Sequence, residues 1–234
     1  MCPYNIQQKI EKIVYSFNRN ITFWDSVHLT GDEHTNLRSK PLPYIMMSID
    51  LLRAIKGIHS NVEIVELGSM RFPVTPKCIK YANNPHDTIS PPCCNDGHST
   101  FFFQQLTQGW GHVTSVDISD HTETVISQSF SNLPKPDNLR FIQCDAIDYI
   151  KHRKENIDML FLDAWDIGTP DSALLHKEAY ENAKNILSEQ CVVAIDDSDF
   201  RCKEGGKDKL VCQSLIRDGF RCVIRGRQTI WIKH

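Results

Sequence analysis

The chain has 234 residues, 41% of them hydrophobic and 24% charged, the composition of a folded globular chain rather than a disordered one. Its 26 Lys and Arg against 29 Asp and Glu give a formal net charge of −3, and without a basic surplus no nucleic-acid partner is expected. No apolar run reaches the ~18–20 residues of a membrane span, and the first residues lack the apolar stretch of a secretory leader. The expected setting is therefore the cytoplasm, with no membrane partner. Nine cysteines in a chain this long read as reduced thiols, with Cys144, Cys191 and Cys222 beside apolar strand-like runs as small buried hydrophobes.

In chain order, residues 5–17 carry Ile6, Ile10, Ile13 and Val14 at helical spacing, which predicts a helix. The polar stretch 18–40, containing Gly31, reads as a loop. Residues 43–57 read as a helix closed by Gly57. Strand-like runs follow at 62–69, 112–119, 139–146, 157–166 and 190–199, separated by helical patterns over 100–108, 122–131 and 172–188. Strands alternating with helices predict a doubly wound, mostly parallel sheet with helices on both faces. The tail reads as a helix over 209–220 and then two strands around a short Arg-Gly-Arg turn, a terminal hairpin that adds an antiparallel strand. The expected architecture is a Rossmann-like α/β fold of seven strands. Residues 1–42 form a helix and loop serving as a cap or a dimer contact, and 43–234 form the main domain.

The strands end in acids: Glu66, Asp117, Asp145 and Asp163, with Asp196 and Asp197 after the fifth. A single acid after a strand is commonly a helix cap. Five in succession are expected to converge, because the carboxyl ends of an open parallel sheet line one ligand crevice. Glu66-Leu67-Gly68 places an acid and a glycine where a nucleotide-binding strand turns into its helix, and Asp117 stands where an acid accepts from ribose hydroxyls. Neither G-x-G-x-x-G nor G-x-x-x-x-G-K-[ST] is present. A cofactor with a ribose and no pyrophosphate fits, and S-adenosylmethionine leads.

At these residues the chain resembles the class I S-adenosylmethionine-dependent methyltransferases, nearest the small-molecule and sugar O-methyltransferases that carry a metal-binding aspartate set. The resemblance runs over about residues 60–234 through VELGS, VTSVDIS, FIQCDAIDY, FLDAWD and AIDDSD, and through the terminal hairpin. The glycine-rich loop departs from the pattern. Gly68 is followed by a long proline-rich insertion at about 70–95, and DGHST, with Gly97, Ser99 and Thr100, resumes the loop. A loop of that length is expected to be functional or disordered.

The resemblance implies that Glu66, Gly68, Gly97, Ser99 and Thr100 contact the amino-acid end of the cofactor. Asp117 would hold the ribose, and Asp145 and Ala146 the adenine edge, with a helix cap as the alternative for Asp145. Asp163, Asp196 and Asp197 would hold Mg²⁺ or Mn²⁺. Electrostatics supports that set independently: three adjacent carboxylates resist joint ionisation, and a hard cation with oxygen ligands removes the cost. The general base is expected to be Asp166, with His176 second. His98 and Asp199 are further candidates near the site. Trp165 would stack on a sugar ring or simply cover the sheet end. Gly205-Gly206-Lys207 would be a substrate loop or the lead-in to a helix. A zinc site at Cys78, Cys93 and Cys94 with His86 or His98 is disfavoured by its spacing. The expected activity is metal-assisted O-methylation of a small-molecule or glycan acceptor, with a sugar hydroxyl as the leading acceptor. A catechol-like phenol acceptor and a non-catalytic binding module are the alternatives.

Overall fold

The computed structural model describes residues 3–27, 41–57, 59–74, 98–131, 136–198 and 206–234. Seven helices and seven strands follow in the order α1 (Pro3–Val27), α2 (Pro41–Lys56), β1 (Val62–Leu67), α3 (Ser99–Thr107), β2 (Gly111–Asp117), α4 (Thr122–Ser129), β3 (Leu139–Gln143), α5 (Ala146–His152), β4 (Ile157–Leu162), α6 (Ser172–Ala183), β5 (Leu187–Ile195), α7 (Val211–Arg217), β6 (Arg221–Arg225) and β7 (Thr229–Lys233). They build one seven-stranded sheet in the order β3-β2-β1-β4-β5-β7-β6. β1 to β5 are parallel, and β7 runs antiparallel to both β5 and β6. This is the expected Rossmann-like sheet with its terminal hairpin.

The strand sequences explain the two-sided burial. Successive side chains leave a strand on opposite faces. Met159 and Phe161 of β4, Val192 and Ala194 of β5, and Ile230 and Ile232 of β7 enter a core beneath α1, α2, α3 and α4. Leu160 and Leu162, Val193 and Ile195, and Trp231 enter the opposite core beneath α5, α6 and α7. The central strands are accordingly continuous apolar runs, as a sheet covered on both faces requires. Every residue of IDMLFL in β4 is buried.

Several boundaries differ from the sequence reading. α1 runs to Val27, ten residues past the expected end at 17, because residues 18–27 contain neither Gly nor Pro to stop it. Ile6 and Ile10 are buried, and the Phe17 ring meets Tyr44 edge-on at 5.3 Å, so α1 lies on α2. Gln7 accepts from Arg221 of β6 at 3.1 Å. α6 stops at Ala183 rather than 188, because the Ile186 carbonyl already accepts from Ile157 N at 2.8 Å and commits the chain to β5. The short helix α5 starts at Ala146, where the cap alternative for Asp145 puts it, and shortens the strand read over 139–146. Most of the insertion lies outside the described residues, but its start is anchored: Met70 and Val74 are buried, and Val74 N donates to Ser129 Oγ at 2.9 Å. Among the described residues no helix is long and apolar enough to cross a membrane.

Candidate active site

The sheet order reverses between β1 and β4, and a crevice forms at the carboxyl ends of strands at such a switch point. Hydrogen bonds hold those ends level: Gly68 N donates to Val116 O at 2.9 Å, Asp163 N to Leu67 O at 2.8 Å and Asp196 N to Leu162 O at 3.1 Å. The resulting cleft, of about 320 Å³, is lined by residues that include Gly68, Ser69, Asp117, Asp163 and Asp166. Gly68 has φ +91°, and a Cβ there would come within 2.6 Å of the Asp163 carbonyl oxygen. Only glycine lets β1 turn this close to β4.

Beside Gly68 a polar network supports the first loop. Asp117 Oδ2 accepts from Ser69 N at 2.9 Å and Oδ1 from Ser119 N at 2.8 Å. Glu66 is fully buried, and its Oε2 accepts from Thr100 Oγ1 and Ser115 Oγ, both at 2.6 Å. Its Oε1 is buried without a hydrogen bond among the described residues. Burial pushes this carboxyl up to about 7, against the pull of the neighbouring hydroxyls. The open lip at Gly68 and the Asp117 carboxylate, both lining the cleft, fit a nucleoside, and Glu66 lies buried outside that lining.

The second half of the site is acidic. Asp163, Asp196 and Asp197 offer carboxylate oxygens that all lie within 4.8 Å of one another. Asp197 has φ +46°, a left-handed conformation that Asp tolerates better than most residues. The cluster already holds cations. The ammonium of Lys207, its side chain 1% exposed, bonds Asp163 Oδ1 and lies 3.1 Å from Asp197 Oδ2. Arg227 Nη2 lies 2.5 Å from Asp197 Oδ1 and 3.4 Å from Asp196 Oδ2. Gln228 Nε2 donates to Asp196 Oδ1 at 2.8 Å. Burial would lower the Lys207 ammonium, but the three carboxylates outweigh it and hold the group above its ordinary range. Burial and the Asp196 charge push the Asp163 carboxyl up, and Lys207 pulls it back. A divalent ion among these carboxylates would meet the ammonium at close range, so the folded cluster does not fit the metal that the sequence resemblance implies.

Asp166 lies in the loop after β4, lines the cleft and pairs with Arg71 at 2.8 Å, both side chains more than half exposed. His176 is fully buried in α6. Its Nδ1 bonds the Ser172 carbonyl at 2.8 Å and its ring meets Trp165 edge-on at 5.1 Å. Burial, aided by the Lys207 charge, brings its imidazole down to about 4, so it is neutral near pH 7. Trp165 therefore packs on the His176 edge.

The six strand-end acids thus separate by task. Glu66 and Asp117 support the first loop, and Asp163, Asp196 and Asp197 share the cation cluster. Asp145 caps α5, accepting from Ile147 N at 2.9 Å and Asp148 N at 3.0 Å, the alternative reading for that residue. Neither Asp145 nor Ala146 lines the cleft. Ser99 and Thr100 open α3 and are buried, and neither lines the cleft. Gly97, Asp199, Gly205 and the proposed zinc residues Cys78, His86, Cys93 and Cys94 lie outside the described residues. His98 is buried with φ +42°. The sequence reading did not foresee Arg71 on Asp166 or Arg227 on the cluster. The available signals were the Lys207 that follows two glycines just after the acidic turn, and the two arginines of the hairpin turn.

No family model matches the chain. One curated relative, a polyamine aminopropyltransferase of Thermoplasma acidophilum, is 27% identical over 140 residues, 58% of this chain. The match covers 51% of that protein, so the chain spans about half the length of its curated relative. Among solved structures, a Staphylococcus aureus protein described as a candidate caffeoyl-CoA O-methyltransferase superposes with TM-score 0.52 at 16% identity, covering 80% of this chain and 83% of that one. A methyltransferase from Geobacter sulfurreducens gives TM-score 0.50 at 12% identity over 94% and 87%. A cofactor-bound protein from MTB gives 0.52 at 12% over 90% and 94%. At these identities the likeness defines a class: the chain has the Rossmann-like methyltransferase fold.

Proposed function

We propose that the chain is an S-adenosylmethionine-dependent O-methyltransferase acting on a hydroxyl of a sugar or glycan. The observation that carries this reading is the cleft at the β1/β4 switch point. It joins a cofactor half, Gly68 and Asp117, to a carboxylate half, Asp163 and Asp166. When bound, the cofactor supplies a methyl group on a positively charged sulfur.

The chain's own groups would do the rest. Asp117 holds the first loop through Ser69 and Ser119 and offers its carboxylate to the ribose. Gly68 opens the lip, and the buried Glu66 supports it from below through Thr100 and Ser115. Asp166, oriented by Arg71, takes the acceptor's hydroxyl proton as its oxygen bonds to the methyl carbon and the carbon–sulfur bond breaks. Correct placement of two reactants in one cleft is itself a large part of the rate. Trp165 and the buried His176 fix the wall beside Asp166. Metal assistance, part of the sequence expectation, conflicts with the Lys207 ammonium inside the aspartate cluster.

A second reading follows from the aminopropyltransferase relative: the carboxylates lining the cleft also suit a cationic amine acceptor. Purified protein incubated with S-adenosylmethionine, or with its decarboxylated form as an aminopropyl donor, and separate panels of sugars, phenols and polyamines, with products weighed by mass spectrometry, tests both. A sugar gaining one methyl group supports the proposal. A methylated phenol moves the acceptor class, and an amine-only product sinks the hydroxyl assignment.

A further inference from the structure

We infer that Lys207 is a built-in cation that takes the place of a divalent ion among Asp163, Asp196 and Asp197, and that this cluster is complete without metal. Three observations carry it. The ammonium bridges Asp163 and Asp197, which come from the ends of different strands, β4 and β5. The lysine is buried, its side chain 1% exposed, so it is no surface ion pair that solvent would screen. The backbone is shaped to deliver it: a Cβ at Gly206 would fall 2.7 Å from Ser198 Cα and 2.8 Å from the Asp197 carbonyl oxygen. Lys207 N then donates to that carbonyl at 3.2 Å. Glycine at 206 lets the chain lie against the acidic turn and drive the next side chain into it.

Charge supports the same conclusion. Lys207 and Arg227 set two positive charges against the three carboxylates, leaving one negative charge. A buried acid cluster without a cation is costly, and removing that cost is what a metal would otherwise do there. Adding a divalent ion with Lys207 in place would crowd three cations, the ion, Lys207 and Arg227, within one set of ligands. Asp163 lines the cleft while Lys207 does not. Lys207 is thus a positioning residue, holding from behind a carboxylate that faces the acceptor.

The inference stands on this cluster rather than on the proposed acceptor, and two independent readouts keep them apart. Mn²⁺ is titrated into the full chain and the paramagnetic resonance signal of the free aquated ion is followed. The same samples are then titrated with S-adenosylhomocysteine, whose binding reports the cofactor site alone. Wild type is expected to leave the free-ion signal undiminished. Lys207→Ala is expected to remove that signal stoichiometrically, and Lys207→Arg to leave it as in wild type. If Lys207→Ala does not fold, the double variant Lys207→Ala with Asp197→Asn lowers the charge excess while keeping an oxygen ligand, and is expected to bind Mn²⁺. Stoichiometric Mn²⁺ binding by wild type overturns the inference. So does failure of every folded Lys207→Ala protein to bind the ion, because Lys207 would then not be what excludes it.

Discussion

Gly68 lies so close to Asp163 that a Cβ on the glycine would sit 2.6 Å from the aspartate's carbonyl oxygen. This contact joins the two halves of the site, since Gly68 begins the cofactor lip and Asp163 belongs to the acidic cluster. Gly68→Ala must either push β1 and β4 apart or abandon φ +91°. The expected loss is about 2 kcal/mol of stability or more, together with loss of S-adenosylhomocysteine binding. Urea unfolding and calorimetric titration of the variant check it. Wild-type values in both would remove Gly68 from its assigned role.

Asp117→Ala tests the first loop differently. The substitution leaves the amides of Ser69 and Ser119 without their carboxylate and deletes the proposed ribose acceptor. Hydrogen bonds to a charged group contribute about 1.5–3 kcal/mol, so cofactor affinity should fall about tenfold or more. Circular dichroism should show the fold retained. Undiminished affinity would place the ribose elsewhere.

Glu66 supplies a pH signature. Its folded value, about 7, lies above the ordinary 4.5, so the folded state holds the proton more tightly than the unfolded chain. The stability it contributes is fully present below about pH 4.5 and is lost as pH rises through 7. At about 1.4 kcal/mol per unit, the loss between pH 5 and 7 is about 2 kcal/mol. Glu66→Gln cannot ionise, so its stability relative to wild type should improve by that amount over the same interval. Chemical denaturation at both pH values measures it, and parallel curves would mean that Glu66 is already ionised when folded.

The fold was largely legible because strand and helix periods are strong signals in runs such as IDMLFL, whose residues reach both cores. Boundaries were harder where only tertiary pairing decides them, as at Ile186, whose carbonyl turns the end of α6 toward β5. The acids at the strand ends were legible as a set, but their division of labour was not. Asp145 caps a helix while Asp163 meets a lysine 44 positions later. Which cation fills an acidic cluster depends on what a distant loop brings in, and Gly205-Gly206-Lys207 in isolation reads equally well as a flexible lead-in. Arg227 was hidden for the same reason: its partners, Asp196 and Asp197, lie at the end of β5, beside the hairpin turn.

Asp166 is the proposed base, and its substitution should separate chemistry from binding. Asp166→Asn is expected to lower turnover about 100-fold or more, the usual worth of a positioned base. Cofactor affinity should stay within about twofold, because among the described residues the Asp166 carboxylate meets only the exposed Arg71 side chain, while Asp117 holds the Ser69 and Ser119 amides. A single-turnover assay by mass spectrometry beside a binding titration checks both. An unchanged rate would transfer the role to another group.

The most direct measurement is calorimetric titration of S-adenosylmethionine and S-adenosylhomocysteine into the purified chain, once with Mg²⁺ and once with EDTA. Stoichiometric binding of both, with the same affinity in the two conditions, is the expected result. It would establish the cofactor class, with Lys207 standing where an ion would otherwise be needed. Absence of binding by either compound in either condition would contradict the central claim, leaving a methyltransferase-like fold that does not hold the methyl donor.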